Sequence, residues 1–175
     1  YVSGRGSRVG SFALKVTDSS AEAGETCQTP VALGSGAIKV SGSNVDAPEV
    51  STVCGDISST RGVWYELVGS GNVLTLWTCD PETTFDARVS IFTGDCGGLT
   101  CEAFTTSSCS ELTQAPFQFN TVAGVKYSLL VHGTSPSEVG SFSLTMTSDS
   151  NNTACASALP ITAAANTYFG TTEGI

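Results

Sequence analysis

Four strand-like runs follow one another, residues 62–68, 72–79, 85–93 and 99–104. Val73, Thr75 and Trp77 alternate with Leu74 and Leu76, and Phe85, Ala87, Val89 and Ile91 follow the same beat. A period of two places successive side chains on opposite faces of a strand, so this pattern excludes amphipathic helix and predicts half-buried strands. Ser70-Gly71-Asn72, Asp80-Pro81-Glu82 and Gly94-Asp95-Cys96-Gly97-Gly98 separate the runs. Gly, Pro, Asp and Asn make turns for backbone reasons, which reads as hairpins and short connections. Further strands are expected at 37–40, 116–120, 124–131 and 140–147, with Tyr127, Leu129, Val131, Phe142, Leu144 and Met146 facing one way. No segment carries a helical period. The expected fold is an all-β, antiparallel, jelly-roll-like β-sandwich.

The chain also repeats itself. Val9-Gly10-Ser11-Phe12-Ala13-Leu14-Lys15-Val16-Thr17 returns as Val139-Gly140-Ser141-Phe142-Ser143-Leu144-Thr145-Met146-Thr147, an offset of 130. After a polar stretch, Cys27, Leu33 and Gly42 return as Cys155, Ile161 and Gly170, an offset of 128. Repeats of this length point to an array of similar units. The expected division is the last strand of a preceding repeat at 1–18, a linker at 19–24 and a complete sandwich at 25–147. A second linker follows at 148–153, and the first strands of another repeat at 154–175. The chain opens at Tyr1 without a methionine, which implies a removed leader or a piece of a longer polypeptide.

Seven cysteines, one histidine and no Cys-x-x-Cys pair disfavour a zinc site and favour disulfides, and so an extracellular or cell-surface location. The complete unit holds six of them, whose connectivity the sequence leaves open. The pairing expected here is Cys27–Cys54, Cys79–Cys109 and Cys96–Cys101, with Cys155 bridged to a cysteine outside the unit. A net charge of -9 without any basic cluster argues against nucleic acid or anionic membrane as partner. No apolar run reaches the length of a membrane span.

Val63-Trp64-Tyr65, the run from Phe85 to Phe92, Gly94-Asp95-Cys96, Leu99-Thr100-Cys101, the run from Tyr127 to Gly133 and Gly140-Ser141-Phe142-Ser143-Leu144 resemble the bacterial pre-peptidase C-terminal domain and its cysteine-rich tandem relatives. The resemblance covers residues 25–147. It implies a jelly-roll-like module of a secreted protein, accessory or repetitive in role and without catalytic activity of its own.

Candidate sites follow from residue types. Asp80, Glu82, Asp86 and Asp95 crowd the turns and could offer oxygen ligands to calcium, although no Asp-x-Asp-x-Asp-Gly loop is present and turn chemistry explains the same residues. Asp80, Asp86 and Asp95 are the calcium candidates; no other cofactor is expected. Gly94-Asp95-Cys96-Gly97-Gly98 has a nucleophile-elbow spacing but lacks the following helix. His132 is the single histidine, and its counterpart in the first fragment is Ser3. No catalysis is expected. Trp64, Tyr65 and Trp77 could build an aromatic platform for sugars. Because Trp64 and Tyr65 are adjacent, one ring is expected to point out of its sheet. Asn151-Asn152-Thr153 is an N-glycosylation sequon. The expectation is a structural subunit of an extracellular filament or array, associating with itself through strand pairing of its terminal arms. The alternative is a carbohydrate- or polymer-binding accessory module.

Overall fold

The structure, a computed structural model, describes residues 23–34, 36–55, 57–105 and 116–148. Ten strands follow one another: β1 (Val31–Ala32), β2 (Ile38–Ser43), β3 (Glu49–Val50), β4 (Thr60–Val68), β5 (Val73–Trp77), β6 (Arg88–Thr93), β7 (Thr100–Phe104), β8 (Phe117–Asn120), β9 (Lys126–His132) and β10 (Ser141–Ser148). One sheet runs β2-β10-β5-β8 and the other β1-β4-β9-β6-β7, with β3 also on β4. Numbering the longer strands in chain order from β2, the sheets read 1-8-3-6 and 2-7-4-5. This is the jelly-roll order, with two Greek keys folded face to face. Every pairing is antiparallel except the two-residue contact of β1 with β4.

The alternating runs thus become β4 to β7, with adjusted ends. The third starts late, at Arg88, because the Ala87 N–H turns back to the Phe85 carbonyl (2.9 Å) and Thr84 N–H bonds to Ser141 instead. β1 and β3 carry too few residues to show a period, and the sequence gives no sign of them.

The core lies between the sheets. Leu74 and Leu76 from β5 and Phe142, Leu144 and Met146 from β10 meet Tyr65, Val89, Ile91, Leu129 and Val131 of the facing sheet. Phe142 stands edge-on to both Tyr65 (6.3 Å) and Phe85 (6.4 Å), a geometry that matches ring edges to ring faces. Burying one such aromatic side chain contributes about 1.5–3 kcal/mol.

The second sheet is covered on its outer face as well. Trp64, Phe92 and Leu130 point away from the main core into a smaller cluster with Cys54, flanked by Cys27, Val50, Val53 and Leu99. β9 is therefore buried on both faces from Tyr127 to His132. This explains the unbroken apolar stretch of Leu129-Leu130-Val131, since a strand buried on both sides loses its alternation.

Candidate functional site

Two features organise the molecule's chemistry: the stapled outer face of the β4-β9-β6-β7 sheet, and the seam where β2 pairs with β10.

On the outer face, Cys27 is bonded to Cys96 and Cys54 to Cys101, with Cα separations of 5.6 and 5.7 Å. This corrects the expected Cys27–Cys54 and Cys96–Cys101 pairs. The β6–β7 hairpin closes itself, with the Gly98 N–H donating to the Asp95 carbonyl (2.8 Å) and β7 paired antiparallel with β6 across one register shift at Ile91/Phe92. A local bridge there is superfluous. The segments preceding β4 are held to its edge by the two-residue pairings of β1 and β3, and each is anchored across the outer face by one cysteine of the hairpin. Cys79 is also disulfide-bonded. The expected Cys79–Cys109 bridge involves Cys109, which lies outside the described residues. So do Cys155, the sequon at Asn151 and the flanking segments 1–18 and 154–175.

Beneath these bridges, the side chains of Ser90 and His132 meet. Nδ1 of His132 faces the Gly133 carbonyl at 2.7 Å, an acceptor only, so Nδ1 carries the proton. Nε2 then accepts from the Ser90 hydroxyl at 2.8 Å, and Ser90 Oγ in turn accepts the Cys54 N–H at 3.3 Å. Burial holds the His132 pKa below its ordinary value, and the positive charge of Arg88 acts the same way against the Gly133 bond. His132 and Ser90 are both fully buried. A serine–histidine pair sealed in this way has no path to a substrate; its chemistry is that of a closed hydrogen-bond chain tying the Cys54 segment to β6 and β9.

Trp64 and Tyr65 do point to opposite faces, yet both are only 3% exposed. The expected exposed ring is absent because the stapled segments roof Trp64, whose ring packs against Phe92 (5.7 Å). Trp77 is half-buried. These rings form no sugar platform.

The acidic residues separate by task. Asp80 accepts hydrogen bonds from Ser143 (2.9 Å) and Thr145 (3.2 Å) of β10 and pairs with Lys39 of β2 at 3.5 Å. Partial burial alone would raise its pKa, but those hydroxyls and the lysine hold it below the usual carboxylate range. Glu82 joins Lys39 at 3.0 Å, Asp86 pairs with Arg88 at 3.6 Å, and Asp95 is exposed in the β6–β7 loop. Asp80, Asp86 and Asp95 do not converge. Among the described residues no group of three or more His, Cys, Asp or Glu side chains comes together as a metal site would need.

Asp80 thus latches the β2–β10 seam from outside. From the end, the fully buried Asn44 accepts the Gly140 N–H (2.8 Å) and donates to the carbonyls of Arg61 (3.0 Å) and Glu138 (3.1 Å). Inside, Phe142 lies directly opposite Gly42, and a Cβ on Gly42 would fall 2.5 Å from the ring's Cζ. Only glycine leaves room for that ring.

No family model matches the sequence, and no curated protein matches it. Among solved structures, the chain is similar to the crystal structure of Aeromonas hydrophila PliG, a periplasmic lysozyme inhibitor of g-type lysozyme. The identity is 15% and the TM-score 0.45, over 68% of this chain and 95% of that one.

Sequence reasoning missed Ser90, Asn44 and the Phe142–Gly42 contact. A serine set inside the apolar run Val89-Ser90-Ile91-Phe92, and a glycine inside an alternating strand, are the signals that could have found the first and the last.

Proposed function

We propose that this chain is a structural repeat module of an extracellular filament or cell-surface array, joined head-to-tail through strand pairing of its terminal segments. The observation that carries this reading is the β2–β10 seam. Segment 9–17 repeats the sequence of β10, and segment 155–170 repeats the stretch containing β1 and β2. In the folded unit β10 and β2 are hydrogen-bonded neighbours over six residue pairs. The chain carries a second copy of each half of that pairing, and pairing of one copy's half with another's is heterologous, which builds open filaments wherever the rotation does not close a ring.

The disulfides fit an oxidising compartment, and the proposed location is the cell exterior. The sequon at Asn151 would then be an acceptor for glycan in a linker between units. The closed Ser90–His132 chain supports a role without catalysis.

The test is solution scattering and sedimentation of the purified chain across concentration, beside pull-down on insoluble polysaccharides. The proposal expects growing assemblies and chain left in the supernatant of the glycan. A compact monomer at every concentration that sediments with polysaccharide would replace it with a binding module.

A further inference from the structure

We infer that Val45 of one copy seats in a cleft at the opposite end of the next copy's sandwich, between Val68 and Val122, so that successive folded units touch end to end. This inference rests on the head-to-tail reading above and adds a contact made by the folded units themselves.

The sandwich has two ends, and β10 runs from one to the other. It starts beside Ser43 and Asn44 and finishes at Ser148, opposite Leu74. Among the described residues, the exposed large apolar side chains are Val45, Val68, Phe104 and Val122. Single exposed apolar residues are ordinary, but these are not scattered. Val45 follows Asn44 at the first end, whereas Val68 closes β4 and Val122 lies in the β8–β9 turn at the second.

At that second end a cleft opens between the sheets. Leu67 and Val68 line it from one sheet and Leu74 and Met146 from the other, with Thr121 beside them. Its rim is fixed, because the Gly69 N–H donates to the Val125 carbonyl (2.8 Å) and the Gly124 N–H to the Gly69 carbonyl (2.9 Å). The turns that carry Val68 and Val122 are thereby bonded to each other.

Val45 is held just as firmly. Its N–H donates to Ser43 Oγ (3.3 Å), and the Arg61 guanidinium donates to the carbonyls of Val45 (3.3 Å) and Ala47 (3.5 Å). An apolar knob and an apolar cleft that are both set beforehand spare association the cost of ordering them. Charge selects a second copy as the occupant. Asp46 is exposed beside the knob. Lys126 lies opposite Val68 in the β4–β9 ladder and stays 63% exposed while bridging Glu66 at 2.7 Å. A knob and a cleft at opposite ends of one molecule make a heterologous contact, which extends as a filament wherever the rotation does not close a ring.

The test uses charge complementation in the full chain, at two exposed positions whose replacement leaves the core untouched. Val45→Asp and Val68→Lys are each expected to raise the concentration needed for assembly by about tenfold, the loss of one buried apolar contact. The chain carrying both changes is expected to recover assembly, because the new charges meet across the contact. Thermal unfolding of the folded unit stays the same in all three. If the parent chain assembles and Val45→Asp assembles equally well, the end contact is wrong and the head-to-tail reading stands. The contact is equally wrong if the double variant brings no recovery. If the parent chain itself stays monomeric, both fail.

Discussion

Phe142 and Gly42 face each other across the β2–β10 seam, and the ring fills the volume that any side chain at position 42 would need. Both residues have counterparts, Phe12 and Gly170, in the repeated segments near the two ends of the chain. Replacing Gly42 with valine should destabilise the unit by about 1–3 kcal/mol through overpacking. Denaturant unfolding of the Gly42→Val chain measures this, and an unchanged midpoint would mean the seam can open at little cost.

The Cys54–Ser90–His132 chain predicts a different kind of loss. Ser90→Ala leaves the Cys54 N–H and the His132 Nε2 buried without their partner. An orphaned buried polar group costs about 1–3 kcal/mol. Unfolding of the disulfide-intact Ser90→Ala chain should show that drop, whereas an exposed serine such as Ser58 changed to alanine should not.

Acid should act on the same histidine. Because burial, with Arg88, holds His132 below its unfolded pKa of about 6.5, the unfolded chain binds the extra proton first. Stability conferred by the neutral ring is therefore complete above about pH 6.5 and declines as the pH falls toward the folded pKa. His132→Gln should flatten that part of the profile. Asp80 has the carboxylate's sign: its lowered pKa gives stability that is present above about pH 4 and lost as the pH falls through the folded value. A unit equally stable from pH 7 to pH 5 would contradict the histidine assignment.

The disulfides hold the cover over Trp64. Cys54→Ser with Cys101→Ser should cost about 2–5 kcal/mol and shift tryptophan emission to the red as the outer cluster opens. Emission that stays put after this change would show that packing alone keeps the roof in place.

The jelly roll was legible because its strands are long, half-buried and punctuated by strong turn formers; Leu74 and Leu76 against Val73, Thr75 and Trp77 carry that information locally. The disulfide pairing was not. Cys96 and Cys101 are near in sequence, but their partners come from 69 and 47 residues away, across an outer face covered by segments remote in the chain. Trp64 misled for the same reason, since alternation tells which face a ring is on and not whether that face is covered. The seam was half legible: the repeat identified Phe12 with Phe142 and Gly42 with Gly170, but only the fold sets Phe142 against Gly42.

The central claim is that the chain polymerises through its ends, and electron microscopy of the purified chain tests it most directly. The account predicts filaments one subunit wide that lengthen with concentration. Dispersed single particles at all concentrations, with the folded unit intact, would contradict it.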